Sequence, residues 1–455
     1  MNEIIRSHKL LTTKHFAFYI LPFAFCLLFS SCIQFENKYS ALPPGVWRAV
    51  LKLEQKDMPL NTHSAKLNAD PKTKLEEVTN GELPFNLEVV YDSKDKFHID
   101  IINAEERIRI DDIRLGKNRR NARDTVRINF PEYQSYITAE FDGGVIEGRF
   151  VMPAKGDYSI PFVAKYGQGH RFSTLQKTPL LDLTGNWETT FGMGDAPEKQ
   201  EKAVGQFVQK GNKVTGTFTT ETGDYRFLEG EIQANKLYLS CFDGAHAFLF
   251  EGKILEDGTL IGTFQSGKSA KTMWEAKRND NFKLRNAETL VQTKKGFDEA
   301  KISFANPYGR MVSLDNDEYK GKVKILQIMG TWCPNCKDET RFLSDFVAQN
   351  KEIAVLGLAF ERHKEKKKAD DAIQNYKNVM KAPYEFVVAG YANKQEAAEV
   401  LPFLDKVMAF PTTVYIDKKN KIRKIYTGFY GPATQEHAAF KKEFEEFVTL
   451  LQNEK

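Results

Sequence analysis

The chain has 455 residues, 41% of them hydrophobic and 28% charged, the composition of an ordinary globular protein with enough apolar residues for two to four domain cores. A net charge of +4 is too small on a chain of this length to argue for nucleic-acid binding. Aromatic residues make up 12%, with 34 phenylalanines, which suits β-rich modules.

Residues 1–31 read as a lipoprotein signal peptide. Arg6, Lys9 and Lys14 form a basic start, and 16–29 is an uncharged apolar run too short to span a bilayer comfortably. Leu28-Phe29-Ser30-Ser31-Cys32 resembles a lipobox, in which cleavage precedes Cys32 and its thiol takes a diacylglycerol. Two or more acyl chains there would anchor the protein stably. An uncleaved membrane anchor is the alternative. Both place the bulk of the chain across the inner membrane, in a bacterial envelope facing the periplasm, with the membrane itself left open. Cys26 would leave with the leader. Cys241, Cys333 and Cys336 remain, one close pair and one orphan, which is not a disulfide scaffold.

A tether at 32–44 ends in Leu42-Pro43-Pro44. Two β-rich modules follow, 45–178 and 183–280, predicted as multidomain antiparallel all-β structure of sandwich or barrel type. Short alternating runs are punctuated by turn signals such as Asp142-Gly143-Gly144, Lys210-Gly211-Asn212 and Asp257-Gly258. The first module has seven expected strands, including one run over 107–113 and a last strand at 145–152. The two modules read as a degenerate repeat. Gly45-Val46-Trp47 parallels Gly185-Asn186-Trp187, and 142–150 parallels 257–264 with one extra residue. The charged insertion 114–127, with Lys117-Asn118-Arg119-Arg120, reads as a solvated loop. Cys241, in the alternating run 236–242, reads as a buried packing cysteine, with a redox thiol as the alternative. Neither module carries a metal, nucleotide or catalytic signature. A calycin-like barrel would offer an apolar cavity, but spacing, packing or partner docking is the plainer role.

A polar linker over 278–300 leads into a final domain at 285–455. There 324–329 reads as a buried strand, and Phe342, Leu343, Phe346 and Val347 recur at helical spacing. Between them lies Thr331-Trp332-Cys333-Pro334-Asn335-Cys336. This places Cys333 where a loop enters a helix, and the unpaired N–H groups and dipole of that terminus favour a thiolate. The thiolate is the attacking species in disulfide exchange, and Cys336 is placed to resolve the mixed disulfide. Half of a zinc site and a purely structural disulfide are the competing readings. Zinc needs further ligands that the sequence does not offer, and no metal or cofactor is expected.

Trp-Cys-Pro-Asn-Cys after an apolar strand resembles the thioredoxin fold, and the segment 285–455 resembles the TlpA/ResA-like thiol–disulfide oxidoreductases of bacterial envelopes. Residues 309–314 and 320–323 resemble that family's leading hairpin, and 410–417 (Phe-Pro-Thr-Thr-Val-Tyr-Ile-Asp) its cis-proline strand. The resemblance implies a cis Pro411 facing the two sulfurs, with an ordinary edge-strand proline as the alternative. It also implies a docking groove near Trp332, Phe410 and Thr412. Gln327 stands where thioredoxin carries a buried aspartate, so that proton acceptor is missing. Glu339, six residues after the first cysteine, stands where the family carries a glutamate. It reads as a proton-relay or specificity residue, or as a solvated carboxylate in the first helical turns. The Pro334-Asn335 dipeptide leaves redox poise open.

Further along, 352–360 reads as a strand, the lysine-rich 362–371 as a solvated loop and helix start, and Ile373, Tyr376, Val379 and Met380 as a helical stripe. A strand at 384–388, a helix over 396–408, a hairpin of 412–416 with 422–428, and a terminal helix bearing Phe440, Phe444, Phe447, Val448 and Leu451 complete the order of a thioredoxin fold. The implied activity is reduction of protein disulfides outside the cytoplasm, with a membrane thiol electron donor as partner. Two other readings stand beside it. Thr331, two residues before Cys333, fits the spacing of a thiol peroxidase. A lipoprotein binding or assembly module could instead carry the redox domain as an accessory.

Overall fold

The computed structural model describes residues 41–53 and 78–454. The signal-peptide and Cys32 lipidation readings lie outside the described residues, as does most of the tether. Among the described residues no helix is long and apolar enough to cross a membrane.

The first module is a nine-stranded antiparallel sheet. Gly45–Lys52 pairs with Glu82–Ser93 on one side and with Ser159–Tyr166 on the other. The sheet's two outermost strands are Glu106–Ile110, paired with Lys96–Asn103, and Ile113–Lys117, paired with Asp124–Phe130. They are consecutive halves of one stretch, bent at Asp111-Asp112, so the sheet curls back on itself. The single strand expected over 107–113 is therefore two strands serving opposite ends. The charged hairpin 113–130 does project exposed arginines and lysines. Ser159–Tyr166 was not expected, because Pro161 argues against a strand interior. It is tolerated because pairing with Gly45–Lys52 begins only at Phe162.

The second module closes completely. Glu201–Lys210 pairs with both Gly185–Phe191 and Lys213–Thr220, and Ala270–Arg278 returns to Gly185–Phe191. Side chains alternate in and out as the pleat requires, with Trp187, Thr189 and Phe191 inward. Phe218 and Phe250 stack at 4.8 Å between ring centres, and Phe250 and Phe264 at 4.6 Å. These rings, with Trp274, belong to the packed core of the module. Cys241 is fully buried in that core, where burial pushes its thiol pKa well up.

The two modules share a local device. Trp47 and Trp187 are fully buried, and each indole N–H donates to the carbonyl four residues back, Pro43 at 3.1 Å and Leu183 at 2.9 Å. Each follows, by two positions, a glycine of positive φ, Gly45 at 112° and Gly185 at 126°, a backbone that glycine adopts without a Cβ penalty. A buried indole needs such a partner, and both modules meet the need identically.

The last domain is a five-stranded sheet: β1 (Val323–Met329), β2 (Ile353–Glu361), β3 (Glu385–Tyr391), β4 (Thr412–Ile416) and β5 (Ile422–Thr427), in the order β3-β2-β1-β4-β5. β1, β2 and β3 are parallel, while β4 and β5 enter antiparallel. The helices are α1 (Pro334–Gln349), α2 (Lys366–Met380), α3 (Lys394–Val400) and α4 (His437–Asn453). This is a thioredoxin-like arrangement. β1 is buried on both faces. Val323, Ile325 and Met329 join a core with α1, α2 and α4, while Leu326 and Ile328 join a core with α3 and the hairpin Ser303–Ala305/Met311–Ser313. α3 ends at Val400, well short of the expected Met408. Leu401 precedes Pro402, and the proline ring disfavours helical backbone in the residue before it. All four sheets belong to one compact unit, Leu42–Lys455.

Candidate active site

β1 delivers the chain to Gly330, and a turn closed by Cys333 N–H on Gly330 O at 3.0 Å sets Cys333 as the N-cap of α1. Pro334 occupies the first helical position, where its missing N–H costs nothing. Cys336 N–H donates to Cys333 Sγ at 3.2 Å, and the two sulfurs are joined in a disulfide with Cα atoms 5.3 Å apart. Once reduced, Cys333 keeps that backbone donor and the helix terminus, both of which favour the thiolate. Cys336 is fully buried and Cys333 is 5% exposed, so only the first sulfur borders solvent.

The surroundings come from three other elements. The Phe410–Pro411 peptide bond is cis, and Phe410 O lies 3.3 Å from Cys333 Sγ. Trp332 packs edge-on against Phe410 at 5.6 Å, its indole donates to Phe360 O at 2.9 Å, and the Arg362 guanidinium sits 4.3 Å over its ring. A Cβ on Gly330 would fall 2.4 Å from that indole nitrogen, so only glycine leaves room for it. Trp332 and Phe410 are both half-buried and border the sulfur, as a groove requires. Thr412 does not line it: the side chain is fully buried and its hydroxyl donates to Ala409 O at 2.9 Å.

Glu339 is not solvated. It is 2% exposed, beneath the cysteines, and accepts from Thr413 Oγ1 and from Gln327 Nε2 at 2.9 Å. Gln327 also donates to Cys336 O at 3.2 Å and accepts from Tyr384 Oη at 3.0 Å. A neutral amide thus fills the position of the missing aspartate and couples the carboxylate to the Cys336 backbone. Burial raises the Glu339 pKa to about 7, partly offset by the two donors. The folded carboxyl therefore keeps its proton from near 4.5 up to about 7, while the unfolded one has lost it. The folded state binds more protons in that window, and stability falls as pH rises through it. The rise corresponds to roughly 3 kcal/mol. Glu339→Gln should remove this slope. Urea melts of both proteins at pH 5 and pH 7.5 check it, and an unchanged difference between the two pH values would count against the assignment.

A second buried carboxylate was not singled out in the sequence. Glu361, at the end of β2, is 2% exposed and accepts from Thr331 N at 2.9 Å and Thr331 Oγ1 at 2.8 Å. It clamps the residue two before Cys333. The Thr331 hydroxyl donates to Glu361. The only sequence signal was a carboxylate closing an otherwise apolar strand run.

Both β modules reach this end of the domain. Lys337 pairs with Glu132 of the first module, and burial pushes the Lys337 pKa down to about 8. Arg226 of the second module, 4% exposed, pairs with Asp338, with Glu106 at 2.7 Å and with Asp243 at 3.5 Å. Among the described residues, no group of three or more His, Cys, Asp or Glu is placed to hold a metal ion.

Residues 298–441 match the model of the Redoxin family. No curated protein matches the chain. Among solved structures, it is similar to a thiol:disulfide interchange protein of the thioredoxin family from Chlorobium tepidum, with 18% identity over 34% of this chain and 94% of that one and a TM-score of 0.26. A thiol-disulfide oxidoreductase from Bacteroides fragilis gives 17%, 32% and 96%, with a TM-score of 0.25. A secreted disulfide oxidoreductase from Mycobacterium tuberculosis gives 15%, 33% and 96%, with a TM-score of 0.25.

Proposed function

We propose that this protein is a thiol–disulfide oxidoreductase of the bacterial envelope, lipid-anchored through Cys32, that reduces disulfides of extracytoplasmic proteins. The observation that supports it best is the Cys333–Cys336 disulfide at the N-terminus of α1, with the Phe410 carbonyl of the cis-proline loop 3.3 Å from the first sulfur.

In the working cycle the reduced Cys333 thiolate attacks one sulfur of a substrate disulfide. An S–S bond forms to Cys333 and the substrate's own S–S bond breaks, releasing one substrate thiolate that takes a proton. Cys336 then gives up its proton and attacks Cys333 Sγ. The intramolecular disulfide re-forms and the second substrate thiolate leaves and is protonated. Two electrons have passed from the cysteine pair to the substrate. A membrane thiol donor returns them by the same two exchanges run on the oxidised pair. Glu339, poised near neutrality and coupled through Gln327 to Cys336, serves as a local proton store for the resolving step.

The reduction potential of the couple tests the direction. Equilibration with a thiol–disulfide buffer should give a value near or below about −270 mV, the poise of thioredoxin. A value near about −120 mV would assign the protein to disulfide formation instead. Failure to equilibrate would move the function to the β modules.

A further inference from the structure

We infer that the two β modules are part of the active-site wall and confine Cys333 to disulfides carried on extended or low-mass molecules, excluding those on compact folded proteins. This rests on the oxidoreductase reading above.

The inward face of α1 is Cys336, Glu339, Thr340, Leu343 and Val347, at helical spacing. Lys337 and Asp338 stand off that face, where a domain alone would leave them in water, yet they are 3% and 7% exposed. Each is covered by a different β module. From the first comes the turn Pro131–Tyr133: Glu132 pairs with Lys337, Tyr133 lies 4.4 Å under the Lys337 ammonium, and Pro131 O accepts from Asn375 of α2 at 2.9 Å. From the second comes the hairpin 220–224. A Cβ on Gly223 would fall 1.9 Å from Asn335 Nδ2, so this hairpin touches one of the two residues between the cysteines. Asp224 accepts from Gly431 N at 3.1 Å, and a Cβ on Gly428 would fall 3.1 Å from the Thr222 backbone. Both flanks of the cysteine pair are therefore walled by side chains and backbone committed to that contact. The approach left to Cys333 runs along the half-exposed Trp332 and Phe410. A slim chain reaches a sulfur walled on both flanks, whereas a disulfide on a globular surface brings a shoulder that meets the β modules first.

The test compares reduction of a disulfide peptide with reduction of the folded domain it comes from, using the full chain. Wild type should favour the peptide by at least roughly tenfold. Glu132→Lys sets like charges against Lys337 and should narrow that preference, and Glu132→Lys/Lys337→Glu should restore it by re-forming the pair with reversed sign. Equal rates on both substrates in wild type, or an unchanged ratio in a folded Glu132→Lys protein, would overturn the inference. Should Glu132→Lys not fold, alkylation of reduced wild type decides. N-ethylmaleimide should modify Cys333 much faster than the same maleimide on a bulky polymer, and equal rates would overturn the proposal. No turnover of either substrate would reject the oxidoreductase reading, while the alkylation ratio would still report on the wall.

Discussion

Cys333→Ser should abolish disulfide exchange, and Cys336→Ser should stop the cycle halfway, with substrate covalently held on Cys333. The two variants separate because the two sulfurs differ in place. Cys333 caps α1 and receives the Cys336 N–H, while Cys336 is fully buried and reachable only from Cys333. Loss of the nucleophile should lower turnover by at least on the order of 10³-fold, since no neighbouring group replaces a thiolate. Loss of the resolving thiol should leave the first attack near its normal rate. Non-reducing gels with mass spectrometry of the trapped species would show it. A Cys336→Ser protein that accumulates no mixed disulfide while Cys333 remains alkylatable would refute the order of attack.

The second large effect is on stability. Arg226→Met should destabilise the protein by about 3–5 kcal/mol, the cost of leaving buried carboxylates without their partner. Arg226 is 4% exposed and faces Asp338 at 6%, Glu106 at 15% and Asp243 at 1% side-chain exposure. Glu106 belongs to the first β module, Arg226 and Asp243 to the second and Asp338 to α1 of the last domain, so the loss should loosen the junction and not merely one module. The solvent-exposed pair Lys367–Asp371 is the control: Asp371→Asn should change stability by at most about 0.5 kcal/mol. Urea unfolding of both variants gives the comparison, and equal effects would show that the junction is not what holds the unit together.

What was legible in the sequence was local. Trp332, Cys333 and Cys336 could be placed because strand, cap and helix adjoin them, whereas Pro411 was reached only through the family resemblance of the run 410–417. The strand–helix order of the last domain followed from periodicity, except where one proline intervened. Pro402 shortened α3, and Pro161 hid the closing strand of the first module. The environment of Glu339 was not legible, since Gln327 and Thr413 bury it from two other strands. The wall around the cysteines was hidden for the same reason at larger scale: Lys337 meets Glu132 and Asp338 meets Arg226 across more than a hundred residues of chain. A charged pair after a helix cap reads as solvated until its partners are seen.

The seclusion of Cys241 bears on how the protein handles electrons. A third accessible thiol beside a reactive pair would offer a side path, in which mixed disulfides migrate and lock the chain in a dead-end isomer. Held at 0% exposure inside a closed ring of strands, Cys241 has no route to Cys333 while the barrel is intact. Its thiol is also kept protonated by burial and so is a poor nucleophile. On the oxidoreductase reading, exchange is thereby confined to the Cys333–Cys336 pair, and labelling of Cys241 becomes a clock for barrel opening that runs independently of catalysis.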